Sequence, residues 1–208
     1  MDAHTFANLT VKPTLDQIDL IVLTDYYEKY LEPFQYEFEL EDGNEIKLKF
    51  NRDNFCHLLG IHKPAEKKFG KGKPQIYSFK GMKGYMRIKD GTINKAMLKG
   101  LNKSAYNDMR SSLVNFYQIH KMLDNPQAVY YTNVVNRINS VDILIYNQTI
   151  NSYIHLGIVK KERQNYYSPS TFLIESITAQ SAGNKFIEGQ TPLTIIKTSK
   201  ANISSTVV

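Results

Sequence analysis

The chain has 208 residues, of which 42% are hydrophobic and 22% charged, so composition supports a packed core and excludes a disordered polymer. A single cysteine, Cys56, excludes an intramolecular disulfide and a thiolate zinc site, and makes a reducing cytoplasm the simpler compartment. No apolar run approaches the ~20 residues that span a bilayer, and Met1-Asp2-Ala3-His4 lacks the basic start of a signal peptide, so no membrane partner is expected.

Net charge is +6, unevenly spread. From His62 to Lys103 twelve lysines and arginines face only Glu66 and Asp90, a local balance of +10 that leaves −4 for the rest. A basic segment on a mildly acidic body points to RNA or another polyanion as partner, or to a solvated lysine-rich loop. Fourteen tyrosines, ten phenylalanines and no tryptophan suit half-buried packing, and also stacking on bases.

In chain order, Thr14 and Gln17 form a capping-box pattern, and apolar residues from Ile18 to Leu31 follow a helical face that Pro33 ends. Residues 35–50 read as a β-hairpin. Tyr36, Phe38 and Leu40 alternate with glutamates, Ile46, Leu48 and Phe50 alternate with lysines, and Asp42-Gly43-Asn44 supplies the turn. The outer face sets Glu against Lys.

Asn51 or Asp53 can cap a short helix that Gly60 stops in the left-handed conformation. His57 falls at the edge of its apolar face, and His62 stands in the following turn, where exposure is expected. Residues 65–91 are rich in lysine and glycine without a Walker loop, and read as a pliable tract or lid. Helices are expected over 93–98 and, capped by Ser104, over 104–123.

The last third switches to strands. Residues 141–146 are short and β-branched, and 153–159 alternate, with Ile154, Leu156 and Ile158 on one face. His155 then lies on the opposite, open face. Lys160, Lys161 and Arg163 continue this strand with positive charge. Tyr166 to Leu173 reads as a constrained turn rich in hydroxyls, Pro192 to Ile196 as an edge strand, and Ala201 to Val208 as a frayed tail. The fold class is α+β: an N-terminal helix and β-hairpin, a helical middle, and a small antiparallel sheet in the C-terminal third.

The run Phe55-x-His57-Leu58-x-Gly60 after a hairpin strand, the strand His155-Leu156-Gly157, and the later Tyr167-Ser168-Pro169-Ser170-Thr171-Phe172 resemble phage- and mobile-element-associated nuclease domains of the Barnase–EndoU–colicin–RelE-like type. The resemblance runs from about Phe34 to Ser176. It implies a division into an N-terminal helical segment (1–33), a nuclease domain (34–176), and a C-terminal edge strand and tail (177–208). It further implies helices packed on a small antiparallel sheet, and a metal-independent ribonuclease of a toxin or of conflict between mobile elements and hosts. Such a protein is bacterial or phage-encoded and can have a protein antidote. The lysine-glycine tract has no place in that pattern.

Cleaving RNA without a metal or cofactor needs a base for the 2′-hydroxyl, an acid for the leaving oxygen, and positive charge on the phosphorane. His57 and His155 are the acid/base candidates. Lys63, Lys160, Lys161 and Arg163 are the candidate cations, and Tyr167, Ser170 and Thr171 the groups that orient the phosphate. No His-x-x-x-His or His-x-Glu pattern offers a metal site. The competing reading is a non-catalytic nucleic-acid-binding or protein-interaction module, which uses the same basic tract and needs no histidine.

Overall fold

A computed structural model describes residues 1–132, 138 and 140–203. The chain forms two compact units that interleave in sequence: a helical unit of residues 1–32 and 51–118, and a sheet unit of 33–50 and 119–208. They cut across the contiguous division 1–33, 34–176 and 177–208.

The helical unit holds α1 (Ala3–Ala7), α2 (Leu20–Tyr30), α3 (Arg52–Leu58), α4 (Lys63–Phe69), α5 (Gly81–Lys89), α6 (Lys95–Leu101) and α7 (Lys103–Asn115). The Thr14–Gln17 capping box is present, but it starts a 3-10 turn, and α2 begins behind an Asp19 cap. Rings fill the core. Phe55 meets Tyr27 and Tyr85 edge-on at 5.3 Å and Phe116 at 5.8 Å. Edge-to-face pairs are worth about 0.5–1.5 kcal/mol beyond the area they bury. The Tyr27 hydroxyl donates to the Asn51 carbonyl at 2.7 Å, which satisfies both groups. At the surface Lys89 bridges Asp25 and Glu28 of α2 at 2.7 and 2.9 Å.

The lysine-glycine tract is largely helical: α4 and α5 flank a turn at 70–73 and a 3-10 helix, Pro74–Phe79. Its charge sits on the outer faces of α4 and α5 while Pro64, Ala65, Tyr85 and Ile88 are buried. Gly84 allows the close approach: an added Cβ would stand 2.6 Å from the Phe79 carbonyl carbon and 2.8 Å from Cys56 Sγ. The helix expected over 104–123 is two elements, α7 and α8 (Ile119–Asp124), with a 3-10 turn between them. Asn102, not Ser104, caps α7, its side chain accepting from the Ala105 amide.

The sheet unit holds α8 and eight strands: β1 (Phe34–Leu40), β2 (Glu45–Lys49), β3 (Gln127–Tyr130), β4 (Ile143–Gln148), β5 (Ser152–Lys160), β6 (Tyr167–Ser176), β7 (Thr191–Leu193) and β8 (Ile195–Asn202). Their order is β7-β3-β4-β5-β6-β2-β1-β8. Among these, only the β2–β6 pairing, Leu48 opposite Tyr167, is parallel. Thr194 alone separates β7 from β8, yet these lie at opposite edges of the sheet, so the sheet rolls up until its edges nearly meet.

The sheet is therefore mixed and large, and the early hairpin belongs to it, which corrects the expectation of a small antiparallel sheet in the C-terminal third. Residues 167–176 pair with β5 as a strand, not a turn. The segment expected as one edge strand supplies two, one to each edge. Ala201 and Asn202 belong to β8, while 204–208 of the expected tail lie outside the described residues. In the hairpin Tyr36, Phe38, Leu40, Ile46 and Leu48 are buried as their alternation requires. Glu37 stands opposite Lys47, but Glu39 faces Glu45 and finds its cation in Lys197 of β8, at 2.6 Å.

Candidate active site

In the helical unit α3 starts behind the Asn51 capping box and ends at Gly60, whose φ of +68° only glycine adopts freely. The chain reverses there and enters α4 with Pro64 in its first turn. The reversal lays the His57 ring flat on His62, with centroids 5.2 Å apart and planes 2° apart. His57 is exposed, whereas His62 is 7% exposed. Sequence pattern alone suggests the opposite pair of environments. His62 is tucked into the reversal, and His57 is left on the surface of the last turn of α3.

Behind the stack, His62 Nε2 lies 4.0 Å from a Glu66 carboxylate oxygen, and Lys80 holds the other oxygen at 2.7 Å. Desolvation by the surrounding protein lowers the His57 pKa, and the charges of Lys63 and Lys80 lower it further against the pull of Glu66, which favours the neutral ring. Burial lowers His62 more strongly, to about 4, although Glu66 pulls the other way. Glu66 also borders a hollow of about 460 Å³, lined with it by Lys63, Lys67, Lys71, Ala105 and Asp108; neither histidine is among its lining residues. Glu66, Lys67, Lys71 and Lys80 join the candidate site here and are not among the residues that the sequence singles out. The i,i+4 spacing of His62 and Glu66 was the available signal.

Cys56, one residue away, is buried, and burial pushes its thiol up to about 12, which leaves it unreactive.

In the sheet unit Lys160, Lys161 and Arg163 line one hollow of about 550 Å³ together with Val159, Glu162 and Gln164. Tyr167 stands directly across from Lys160 in the β5–β6 register. Burial raises its phenol pKa, so it remains a proton donor. Lys49 lies over the neighbouring Tyr166 ring at 5.1 Å. Ser170 donates to the Ser140 carbonyl at 2.8 Å. The Thr171 methyl packs where a Cβ on Gly157 would come within 2.7 Å. Three of the four candidate cations, Lys160, Lys161 and Arg163, line one hollow because they are near neighbours in sequence, while Lys63 belongs to the helical unit; Ser170 and Thr171 are not among the residues that line that hollow.

His155 is not on an open face. It is 0% exposed, with Tyr153 stacked on one side at 6.1 Å, Tyr146 at 6.4 Å, and Phe186 edge-on at 5.5 Å. Neither ring nitrogen makes a hydrogen bond. Burial lowers the pKa to about 4, although the backbone of Leu173, opposite it in β6, favours the proton slightly. The cover is residues 177–190, far along the chain, which no local alternation announces.

Among the described residues no group of three His, Cys, Asp or Glu side chains is placed to hold a metal ion, and no helix is long and apolar enough to cross a membrane. Comparison with curated proteins and with solved structures gives no match. One family model matches residues 23–206, a longer span than the 34–176 expected from the short motifs, because it takes in α2 and both edge strands. With nearly the whole chain covered, the protein belongs to the phage-Barnase-EndoU-ColicinE5/D-RelE like nuclease4 family.

Proposed function

We propose that the chain cleaves RNA by transesterification without a metal, in a toxin or mobile-element conflict role. His57 takes the proton of a 2′-hydroxyl, whose oxygen attacks the adjacent phosphorus. The bond to the 5′-oxygen breaks, and that oxygen leaves with a proton from a cationic donor, for which Lys63 is the candidate. Lys67 and Lys71 hold the charge of the phosphate in the hollow. On the sheet unit, Lys160, Lys161, Arg163 and the Tyr167 hydroxyl are a separate set of groups suited to binding phosphate. His155 enters proton transfer only when its cover lifts.

The observation that carries this reading is the exposed imidazole of His57, stacked on a buried partner whose neighbour Glu66 borders a hollow lined by Lys63, Lys67 and Lys71. A base must be unprotonated at working pH, and a depressed pKa keeps it so. The test is labelled single-stranded RNA incubated in EDTA with the wild type and with His57→Ala. Loss of cleavage with retained binding supports the reading. Binding without cleavage by either protein supports a non-catalytic RNA-binding module.

A further inference from the structure

We propose that Tyr146, Tyr153 and His155 form a seat for an unpaired RNA base, and that residues 177–190 are a strap that covers it in the unliganded protein. The proposal takes RNA as ligand class from the function argued above, but needs no catalysis by His57.

The three rings make one platform. Tyr146 is directly opposite His155 across β4 and β5, and Tyr153 is two residues before it on the same face. Their centroids are 6.1–6.4 Å apart, and their planes tilt by 24–44°. Aromatic side chains on the face of an antiparallel sheet are a recurrent surface for stacking single-stranded bases. Within the platform neither nitrogen of a fully buried imidazole makes a hydrogen bond of good geometry, although the Leu173 backbone interacts with the ring. Orphaned polar atoms at this depth are rare and costly. The edge of a base, carrying amines and carbonyls, supplies the partners that Phe186 does not.

The cover is anchored at its two ends and packed at Phe186 and Ile187, but it adds no strand to the sheet: Ile177 donates to the Asn151 carbonyl at 2.8 Å, Gln190 exchanges hydrogen bonds with Thr132, and Phe186 and Ile187 pack on the cluster that includes Val129 and Leu144. Residues 177–190 contain no helix or strand, only the isolated Thr178–Ser181 bridge. An irregular segment of this length inside a folded unit is uncommon and is often a lid. Phe186 meets His155 by its edge, and Lys185 pairs with Glu175 at 2.7 Å at the surface. Gly183, at φ +73°, packs so closely that a Cβ there would stand 3.2 Å from the Tyr153 ring. The strap is thus fitted to the platform but not woven into the sheet.

The probe is a 2′-O-methyl oligoribonucleotide, which cannot undergo transesterification, so binding is read apart from cleavage. Hydrogen exchange of 177–190 is measured with and without it, and affinity is measured for the wild type, Phe186→Ala, Lys185→Gln and Tyr153→Ala. Lys185→Gln removes a surface cation that pairs with Glu175 and lies 4.8 Å over the Phe186 ring, so the result does not depend on how well Phe186→Ala folds. Exchange in the strap should rise on binding. The two strap variants should bind about threefold tighter or more, because less of the population is closed. Tyr153→Ala should bind about fivefold weaker or more, the loss of one stacked base. Strap exchange that falls or stays unchanged on binding, or Tyr153→Ala binding like the wild type, would overturn the proposal. Either result would make the strap permanent packing and leave the cleavage reading standing.

Discussion

The buried imidazole of His155 makes the stability of the sheet unit depend on pH in a calculable way. Its folded pKa is depressed to about 4 by burial, against 6.5 for the free side chain. Above pH 6.5 both folded and unfolded chains hold it neutral. As pH falls the unfolded chain takes the proton first, so stability is lost down to about pH 4 and the loss is then complete. Between pH 7 and pH 5 the linkage relation gives about 2 kcal/mol from this one group, and the full loss approaches about 3 kcal/mol. His155→Phe keeps a ring of similar size among Tyr146, Tyr153 and Phe186, and removes two orphaned nitrogens. At pH 7 the variant should be as stable as the wild type or more so, since an unsatisfied buried polar group costs about 1–3 kcal/mol. At pH 5 the gap should widen by about 2 kcal/mol, roughly 1 M in urea midpoint for a chain of this size. The assay is urea unfolding followed by circular dichroism at both pH values. His62 titrates in both proteins and cancels in the comparison. A wild-type-to-variant gap that is the same at pH 5 and pH 7 would refute the reasoning, because it would mean that His155 is solvated or hydrogen-bonded in the native protein.

Three other variants test the packing and the cations. Gly84→Ala pushes a methyl against the Phe79 backbone and Cys56 Sγ, and should destabilise the helical unit by about 1–3 kcal/mol in thermal or denaturant unfolding. Tyr27→Phe removes the hydroxyl that satisfies the Asn51 carbonyl, and should cost about 1 kcal/mol in the same assay. Replacing Lys160, Lys161 and Arg163 together by glutamine should weaken single-stranded RNA binding and flatten its salt dependence, by about 0.7 in the slope of log affinity against log salt for each phosphate no longer neutralised.

The parts of the fold legible in the sequence are those fixed by near neighbours. Strict alternation gave the hairpin its inward set of Tyr36, Phe38, Leu40, Ile46 and Leu48, and Asn51 and Gly60 mark the helix boundaries they predict, whereas the Thr14–Gln17 box caps a 3-10 turn ahead of α2. The parts not legible depend on packing between residues distant in sequence. Gly84 looks like a helix breaker until Phe79 and Cys56 are seen to need its missing side chain. Thr194 looks like the middle of one strand, because only the closing of the sheet separates β7 from β8. His57 and His62 exchange their expected exposure because the angle of the α3–α4 reversal is a three-dimensional property. His155 lies on the face of β5 that alternation assigns to it, but that face is covered by residues 177–190, about thirty residues downstream.

The central claim, that the 2′-hydroxyl is the nucleophile and His57 its base, is tested most directly by the chemistry of the products. Short RNAs, with and without a single 2′-deoxy nucleotide at the cleaved position, are incubated with wild type and His57→Ala in EDTA and analysed by mass spectrometry. The account predicts fragments ending in 2′,3′-cyclic phosphate, no cut at the deoxy position, and a cleavage rate at least about a hundredfold lower for His57→Ala. Cleavage at the deoxy position, or an unchanged rate in His57→Ala, would contradict it.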